Sequence, residues 1–181
     1  LGIVGMGKIG SEMAKRAVGF SMKVIYFNRN KRDQDFGASY VDSLEELLEL
    51  SDYVTLHNPL TPETMNMMST VQFKLMKKSA ILINTSRGGI VDQDALFKAL
   101  KSGELAGAAL DVTVPEPIPA DHPLLRLENC LIMPHVASAT IDTRMKMAMM
   151  SVENVLAGVK GDWPPYCVNR AAIAGKARLK S

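Results

Sequence analysis

Three side chains spread over residues 87–135 have the chemistry of a carbonyl reduction. Arg87 sits in Ile-Asn-Thr-Ser-Arg-Gly-Gly at the end of an apolar run, Glu116 in Asp-Val-Thr-Val-Pro-Glu-Pro, and His135 in Met-Pro-His-Val-Ala-Ser-Ala-Thr. A guanidinium can bind and polarise an anionic oxo compound, and an imidazolium can donate a proton to the alkoxide that forms. A carboxylate can hold that imidazole oriented and charged. Each of the three could be structural by itself, since a histidine after a strand often only completes a surface or a core. Together they supply what reduction of a 2-oxo acid requires, with Arg87 and His135 meeting the substrate and Glu116 supporting His135.

Such a reaction needs a hydride donor, and the first residues offer a place for one. Gly-Met-Gly-Lys-Ile-Gly sets Gly5, Gly7 and Gly10 in a G-x-G-x-x-G pattern between an apolar run and a helical pattern. Gly5 allows the tight turn, Gly7 lets a pyrophosphate approach the backbone, and Gly10 lets helix and strand pack closely, while the helix N-terminus stabilises the anion. About twenty residues on, where an acid would usually bind the ribose hydroxyls, the chain reads Phe-Asn-Arg-Asn-Lys-Arg with Asn28 at that place. An acid would repel a 2′-phosphate, whereas Arg29 can grip it in a bidentate manner with help from Lys31 or Arg32. NADPH is therefore the expected cofactor, with NADH possible; the plainer alternative is a solvated basic loop.

The elements that must position these residues can be read from periodicity. Residues 1–5, 23–27, 52–57, 79–85, 105–112 and 129–135 read as strands. Helices are expected over residues 11–20, over 42–50 with Asp42 or Ser43 as cap, over 71–78, over 92–103 with Asp92 near the cap and Gly103 at the end, and over 138–160. Apolar strands alternating with helices predict an α/β fold, a doubly wound parallel sheet of the Rossmann NAD(P)-binding type. Thr61, Pro62 and Glu63 read as a further helix start, and residues 114–123 as a long surface excursion between the last two strands. Residues 1–163 are expected to form the dinucleotide-binding domain, and residues 164–181 a hinge or tail.

Composition narrows the partners. Of the 181 residues 47% are hydrophobic, enough for a substantial core. The 21 basic and 19 acidic residues are interspersed, which gives no support to nucleic-acid binding. No run of 18 apolar residues occurs, so no membrane partner is expected. Cys130 and Cys167 form no CxxC pair and no metal-ligand cluster stands out, which suggests reduced thiols in the cytoplasm and no metal site. His57 and His122 are assigned to packing and to loop or subunit contacts. The methionines at 145, 147, 149 and 150 are assigned to adaptable packing.

The ordered motifs GMGKIG, NTSRGGIVDQDAL, LDVTVPEP, HPLL and PHVASAT resemble the D-isomer-specific 2-hydroxyacid dehydrogenase family, and within it the glyoxylate and hydroxypyruvate reductases. The resemblance runs from residue 1 to about 169. It implies that Arg87 binds substrate, that Glu116 supports His135 and that His135 is the acid/base. It also implies cofactor roles for Gly7, Lys8 and Ile9 at the phosphate turn, for Asn28, Arg29, Asn30 and Lys31 near the ribose, and for Asn58, Thr85 and Asp111, the last beside the nicotinamide carboxamide. Ser138 joins Arg87 and His135 as a substrate-binding candidate. Ala137 stands where close relatives often carry Gly near the nicotinamide, so cofactor fit or substrate size is expected to differ. Family members insert this domain into a second, flavodoxin-like domain, and Leu1 already lies inside a strand, so the chain reads as a fragment. A homodimer through this domain is implied. Two other readings stand beside the reductase, namely a dinucleotide-sensing protein like the family's corepressors and a fragment that binds NADPH without activity. A β-hydroxyacid dehydrogenase would share the glycine turn but not the Arg-Gly-Gly loop or the Pro-His pair.

Overall fold

The computed structural model describes residues 1–173. The chain divides into two compact units, Leu1–Val136 and Ala137–Ser181. The division falls ahead of the long helix, whereas the sequence reading carries the first domain on to residue 163. The expected hinge over 164–181 lies partly, at 174–181, outside the described residues.

The first unit is built on one seven-stranded sheet of β1 (Gly2–Val4), β2 (Val24–Phe27), β3 (Ala38–Tyr40), β4 (Tyr53–Leu56), β5 (Ile81–Asn84), β6 (Gly107–Leu110) and β7 (Cys130–Ile132). The strand order is β3-β2-β1-β4-β5-β6-β7, and every neighbouring pair is parallel. The order reverses between β1 and β4, the place where ligands bind in doubly wound sheets. Helices α1 (Lys8–Gly19), α2 (Leu44–Leu50), α3 (Thr70–Leu75) and α4 (Gln93–Ser102) connect the strands.

Burial explains the sheet. Adjacent residues of β1 enter different cores, Ile3 with Met6, Ala14, Ala17 and Tyr26, and Val4 with Leu47, Leu56, Phe73, Leu82 and Leu96. A parallel strand buried on both faces must be apolar at successive positions, which is what residues 1–5 and 79–85 display.

Local signals set the helix ends. Ser43, and not Asp42, caps α2 by accepting a hydrogen bond from the Glu46 amide at 3.1 Å. Asp92 caps α4 through the Ala95 amide at 3.0 Å, and Gly103 ends that helix at φ 73°. Helix α1 starts at Lys8, three residues before the expected Ser11, so the third glycine of the turn lies inside it. Strand β3 is an addition to the expected elements: it is three residues long and follows a polar stretch that shows no alternation. The helix expected at Thr61 is a single turn, closed by the Met65 amide donating to Thr61 O at 2.9 Å. It ends because Asn66, at φ 51°, donates its amide to Gly89 O instead.

The second unit carries α5 (Ile141–Lys160) and α6 (Arg170–Ile173). Thr140 caps α5 through the Thr143 amide at 3.2 Å, and Gly161 closes it at φ 83°. No residue of α5 is buried.

The packing of the sheet predicts a measurable asymmetry. Leu82 is fully buried at the centre of the sheet, and Leu131 is 58% exposed on edge strand β7. Leu82→Ala is expected to lower unfolding free energy by about 2–5 kcal/mol in urea denaturation, and Leu131→Ala by less than about 1 kcal/mol.

Candidate active site

Because all strands run parallel, their carboxyl ends share one edge. Gly5 follows β1, Asn28 follows β2, Asn58 lies two residues beyond β4, Thr85 to Arg87 follow β5, Asp111 follows β6, and His135 lies three residues beyond β7. All the nominated residues up to His135 thus belong to this unit, while Ala137 and Ser138 fall in the second.

At the switch point the three glycines have three physical reasons. Gly5 has φ +97°, and a Cβ there would lie 2.6 Å from the Asn58 amide nitrogen. At Gly10 a Cβ would lie 2.2 Å from Gly5 O, so α1 packs on the turn only without a side chain. At Gly7 a Cβ would meet nothing within 4 Å. No protein contact demands that glycine, and the open space over its backbone suits the close approach of a phosphate group. Lys8 and Ile9, both exposed, form the first turn of α1 beside it.

The turn opens on a cavity of about 540 Å³ lined by Gly5, Met6, Gly7, Asn28, Arg29, Arg32, Asn58 and residues from the segment 59–67. Asn28 Oδ1 accepts the Met6 amide at 2.8 Å and holds the glycine turn against the end of β2. Arg29 and Arg32 are the cations that line the cavity. Lys31 is not among the lining residues and stands 6.0 Å from the centre of the Tyr40 ring, while the Arg32 amide donates to the Tyr26 hydroxyl at 3.1 Å. The basic loop therefore offers Arg32, not Lys31, as the second cation. Asn30 is exposed and does not line the cavity. Glu63 also lines it, its carboxyl held below the ordinary range by a hydrogen bond from Thr61, then by backbone hydrogen bonding, with the charge of Arg29 contributing least.

Two of the lining residues, His57 and Asn58, have distinct surroundings. His57, expected to serve packing, is part-buried, and its Nε2 lies 3.0 Å from Thr55 Oγ1. Burial lowers the pKa of its imidazole and favours the neutral ring. Asn58 Oδ1 is a buried acceptor with no hydrogen-bond donor among the described residues. The unexplained Gly7, this acceptor and the two arginines fit an anionic dinucleotide.

At the other end, Asn84 closes β5 fully buried and organises the loop that carries Arg87. Its Oδ1 accepts the Ser86 amide and its Nδ2 donates to Arg87 O, both at 3.0 Å. The Ser86 hydroxyl donates to Asn58 O at 2.5 Å, tying this loop to the dinucleotide side. Thr85 and Arg87 are exposed, and the Arg87 guanidinium donates through Nη1 to Ser86 O at 2.6 Å.

His135 and Glu116 do meet. His135 Nδ1 and Glu116 Oε1 are 2.5 Å apart, with both side chains roughly half exposed. That contact leaves Nε2 as the nitrogen able to face a ligand. His135 itself is held at φ +54°, a left-handed conformation that costs a non-glycine residue about 1–3 kcal/mol. The next amide, of Val136, donates to Asp111 Oδ1 at 2.7 Å, and Asp111 is only 7% exposed. Asp111 thus clamps the backbone that aims the imidazole, a role invisible in the sequence because its partner lies 25 residues away. A second cavity of about 450 Å³ is lined by Asp111, Thr113, Glu116, Met133 and His135 with apolar neighbours. His122, expected to fix a loop, accepts the Leu124 amide on Nδ1 at 3.3 Å.

The loop organisers Asn84 and Ser86 escaped sequence reasoning. The signal for Asn84 is present as one polar residue ending the run Ile-Leu-Ile-Asn.

Known proteins share this arrangement of chain. The model of the D-isomer specific 2-hydroxyacid dehydrogenase NAD binding domain matches residues 1–137. A glyoxylate reductase of Korarchaeum cryptofilum is 52% identical over 176 residues, covering 96% of this chain and 53% of that protein. A glyoxylate reductase/hydroxypyruvate reductase of Mus musculus is 44% identical over 169 residues, covering 91% and 51%. Among solved structures, the TT0316 protein of Thermus thermophilus superposes with a TM-score of 0.86 at 49% identity, over 91% of this chain and 51% of that one. The chain spans about half the length of the curated relatives it matches. A family match over three quarters of the sequence and near half-identity to such relatives agree with the fold, and the chain belongs to the D-isomer specific 2-hydroxyacid dehydrogenase family.

Proposed function

We propose that this chain is the dinucleotide-binding part of an NADPH-dependent reductase that converts glyoxylate- and hydroxypyruvate-type 2-oxo acids to D-2-hydroxy acids. The observation that carries the reading is the 2.5 Å contact between His135 Nδ1 and Glu116 Oε1 at the strand edge that also bears Arg87. When bound, the dinucleotide supplies the hydride. The chain's own residues contribute binding and proton transfer. Arg87 holds the anionic substrate and polarises its carbonyl, and His135 Nε2 gives a proton to the carbonyl oxygen. Glu116 steadies the imidazolium before that transfer. Asp111 keeps the ring on target through Val136.

The choice of NADPH rests on Arg29 and Arg32 lining the cavity and on Asn28 being committed to the Met6 amide, so that no carboxylate stands at the end of β2 to repel a 2′-phosphate. A homodimer is supported by the unburied α5, which exposes Ile141, Met145, Val155 and Val159. A cytoplasmic location is supported by two free thiols, Cys130 and Cys167. Among the described residues no helix is long and apolar enough to cross a membrane.

Replacing His135 by Ala should lower kcat for glyoxylate by about 100-fold or more while NADPH affinity, read by fluorescence titration, stays near that of the parent. Unchanged turnover would reject the assignment. Arg29→Asp should weaken NADPH binding by more than about tenfold and leave NADH binding little changed; equal losses for both dinucleotides would contradict a 2′-phosphate contact.

A further inference from the structure

We infer that Gln93 is a positioning residue for the His135–Glu116 pair, an inference that rests on the proposed reductase chemistry for its functional meaning. Gln93 is the first residue of α4, and its side chain forms two hydrogen bonds with a single residue of the neighbouring loop. Its Nε2 donates to Val114 O at 2.7 Å, and its Oε1 accepts the Val114 amide at 2.8 Å. Val114 stands two residues before Glu116.

The start of α4 is itself a fixed point. Asp92 caps the helix through the Ala95 amide at 3.0 Å and accepts the Ser69 hydroxyl on its other oxygen at 2.8 Å. A second contact holds the same loop from the Arg87 side. Gly88, the neighbour of Arg87, is packed so closely that a Cβ would lie 2.3 Å from Thr113 C and O. The segment that carries Glu116 is therefore held at Gly88, beside Arg87, and at Gln93, the start of α4. Within that segment the Thr113 hydroxyl donates to Pro115 O at 2.9 Å, which stiffens the approach to Glu116.

Only a primary amide of this length can make both bonds at Val114. A carboxylate offers acceptors alone and would set one oxygen against Val114 O, and an aliphatic side chain would offer neither a donor nor an acceptor. Val114 is 54% exposed, so burial does little to replace a lost hydrogen bond there. The consequence is mechanical. Arg87 and Glu116 ride on one frame, and a slip of the Val114 peptide moves the carboxylate away from His135 without touching the dinucleotide turn. A displacement of about 1 Å in such a group lowers rate by up to about 100-fold.

The test compares Gln93→Met and Gln93→Ala with the parent protein; the alanine variant retains helix propensity at this position if the methionine variant does not fold. Two-bond 1H–15N correlation spectra, taken where the ring is neutral, report which imidazole nitrogen of His135 carries the proton. The parent should show Nδ1–H, facing Glu116, and either variant should move toward the Nε2–H form while its Val114 amide exchanges faster. In assays with NADPH and glyoxylate, kcat should fall between about tenfold and 100-fold, with KM for glyoxylate and affinity for NADPH changed by less than about twofold. Gln93→Glu keeps the bond from the Val114 amide but sets an oxygen against Val114 O, and it too should lower kcat and shift the tautomer. A folded Met or Ala variant with the parental tautomer and kcat would overturn the inference. A tautomer change in a protein whose parent reduces no 2-oxo acid would uphold the positioning and overturn the reductase reading alone.

Discussion

A histidine at φ +54° keeps that backbone only if its surroundings hold it there, and the site depends on this constraint. Two carboxylates do the holding from different sides. Asp111, nearly buried at the end of β6, takes the amide after His135, while Glu116 takes the ring itself. Each comes from the segment that leaves β6, so the strand that pairs with β7 also supplies the groups that orient the residue following β7. A ring that could rotate freely would lose both its contact with Glu116 and the fixed direction of its Nε2. The two contacts favour one ring orientation, and proton transfer at a defined atom requires such an orientation.

The dinucleotide end depends on a related constraint, the approach of backbone to backbone. Gly10 on Gly5 O and Gly5 on Asn58 bring β1, α1 and the loop after β4 to one point. The Ser86 hydroxyl on Asn58 O then connects that point to the Arg87 loop. A chain of short contacts thus runs from the glycine turn through Asn58 and Ser86 to Arg87. Gly7 stands outside it, the one of the three glycines at which a Cβ would meet nothing within 4 Å, and its open backbone leaves room for a phosphate group.

What the sequence made legible was local. The G-x-G-x-x-G spacing, the apolar strands buried on both faces, Asp92 before α4 and Gly103 after it all depend on residues a few positions apart, and the structure has the sheet and the helix ends those signals describe. Strand β3 was illegible because three residues after a polar stretch leave no period to detect. Side-chain direction was illegible for a different reason. Lys31 and Arg32 are adjacent cations in the sequence, yet one stands near the Tyr40 ring and the other lines the cavity. Likewise Asn28 occupies the expected ribose position, but its oxygen is used by Met6. Contacts such as Asp111 with Val136 cross from one strand end to another, and nothing in the spacing of a single sequence announces them.

The proposed reductase function requires the Arg87 guanidinium and the His135 imidazole to act on the same small anion. The most direct measurement is a crystal structure of the protein with NADPH and oxamate, an unreactive analogue of a 2-oxo acid. One oxamate should touch both the Arg87 guanidinium and His135 Nε2, with Glu116 still on Nδ1. An oxamate bound away from His135, with Arg87 still turned to Ser86 O, would contradict it.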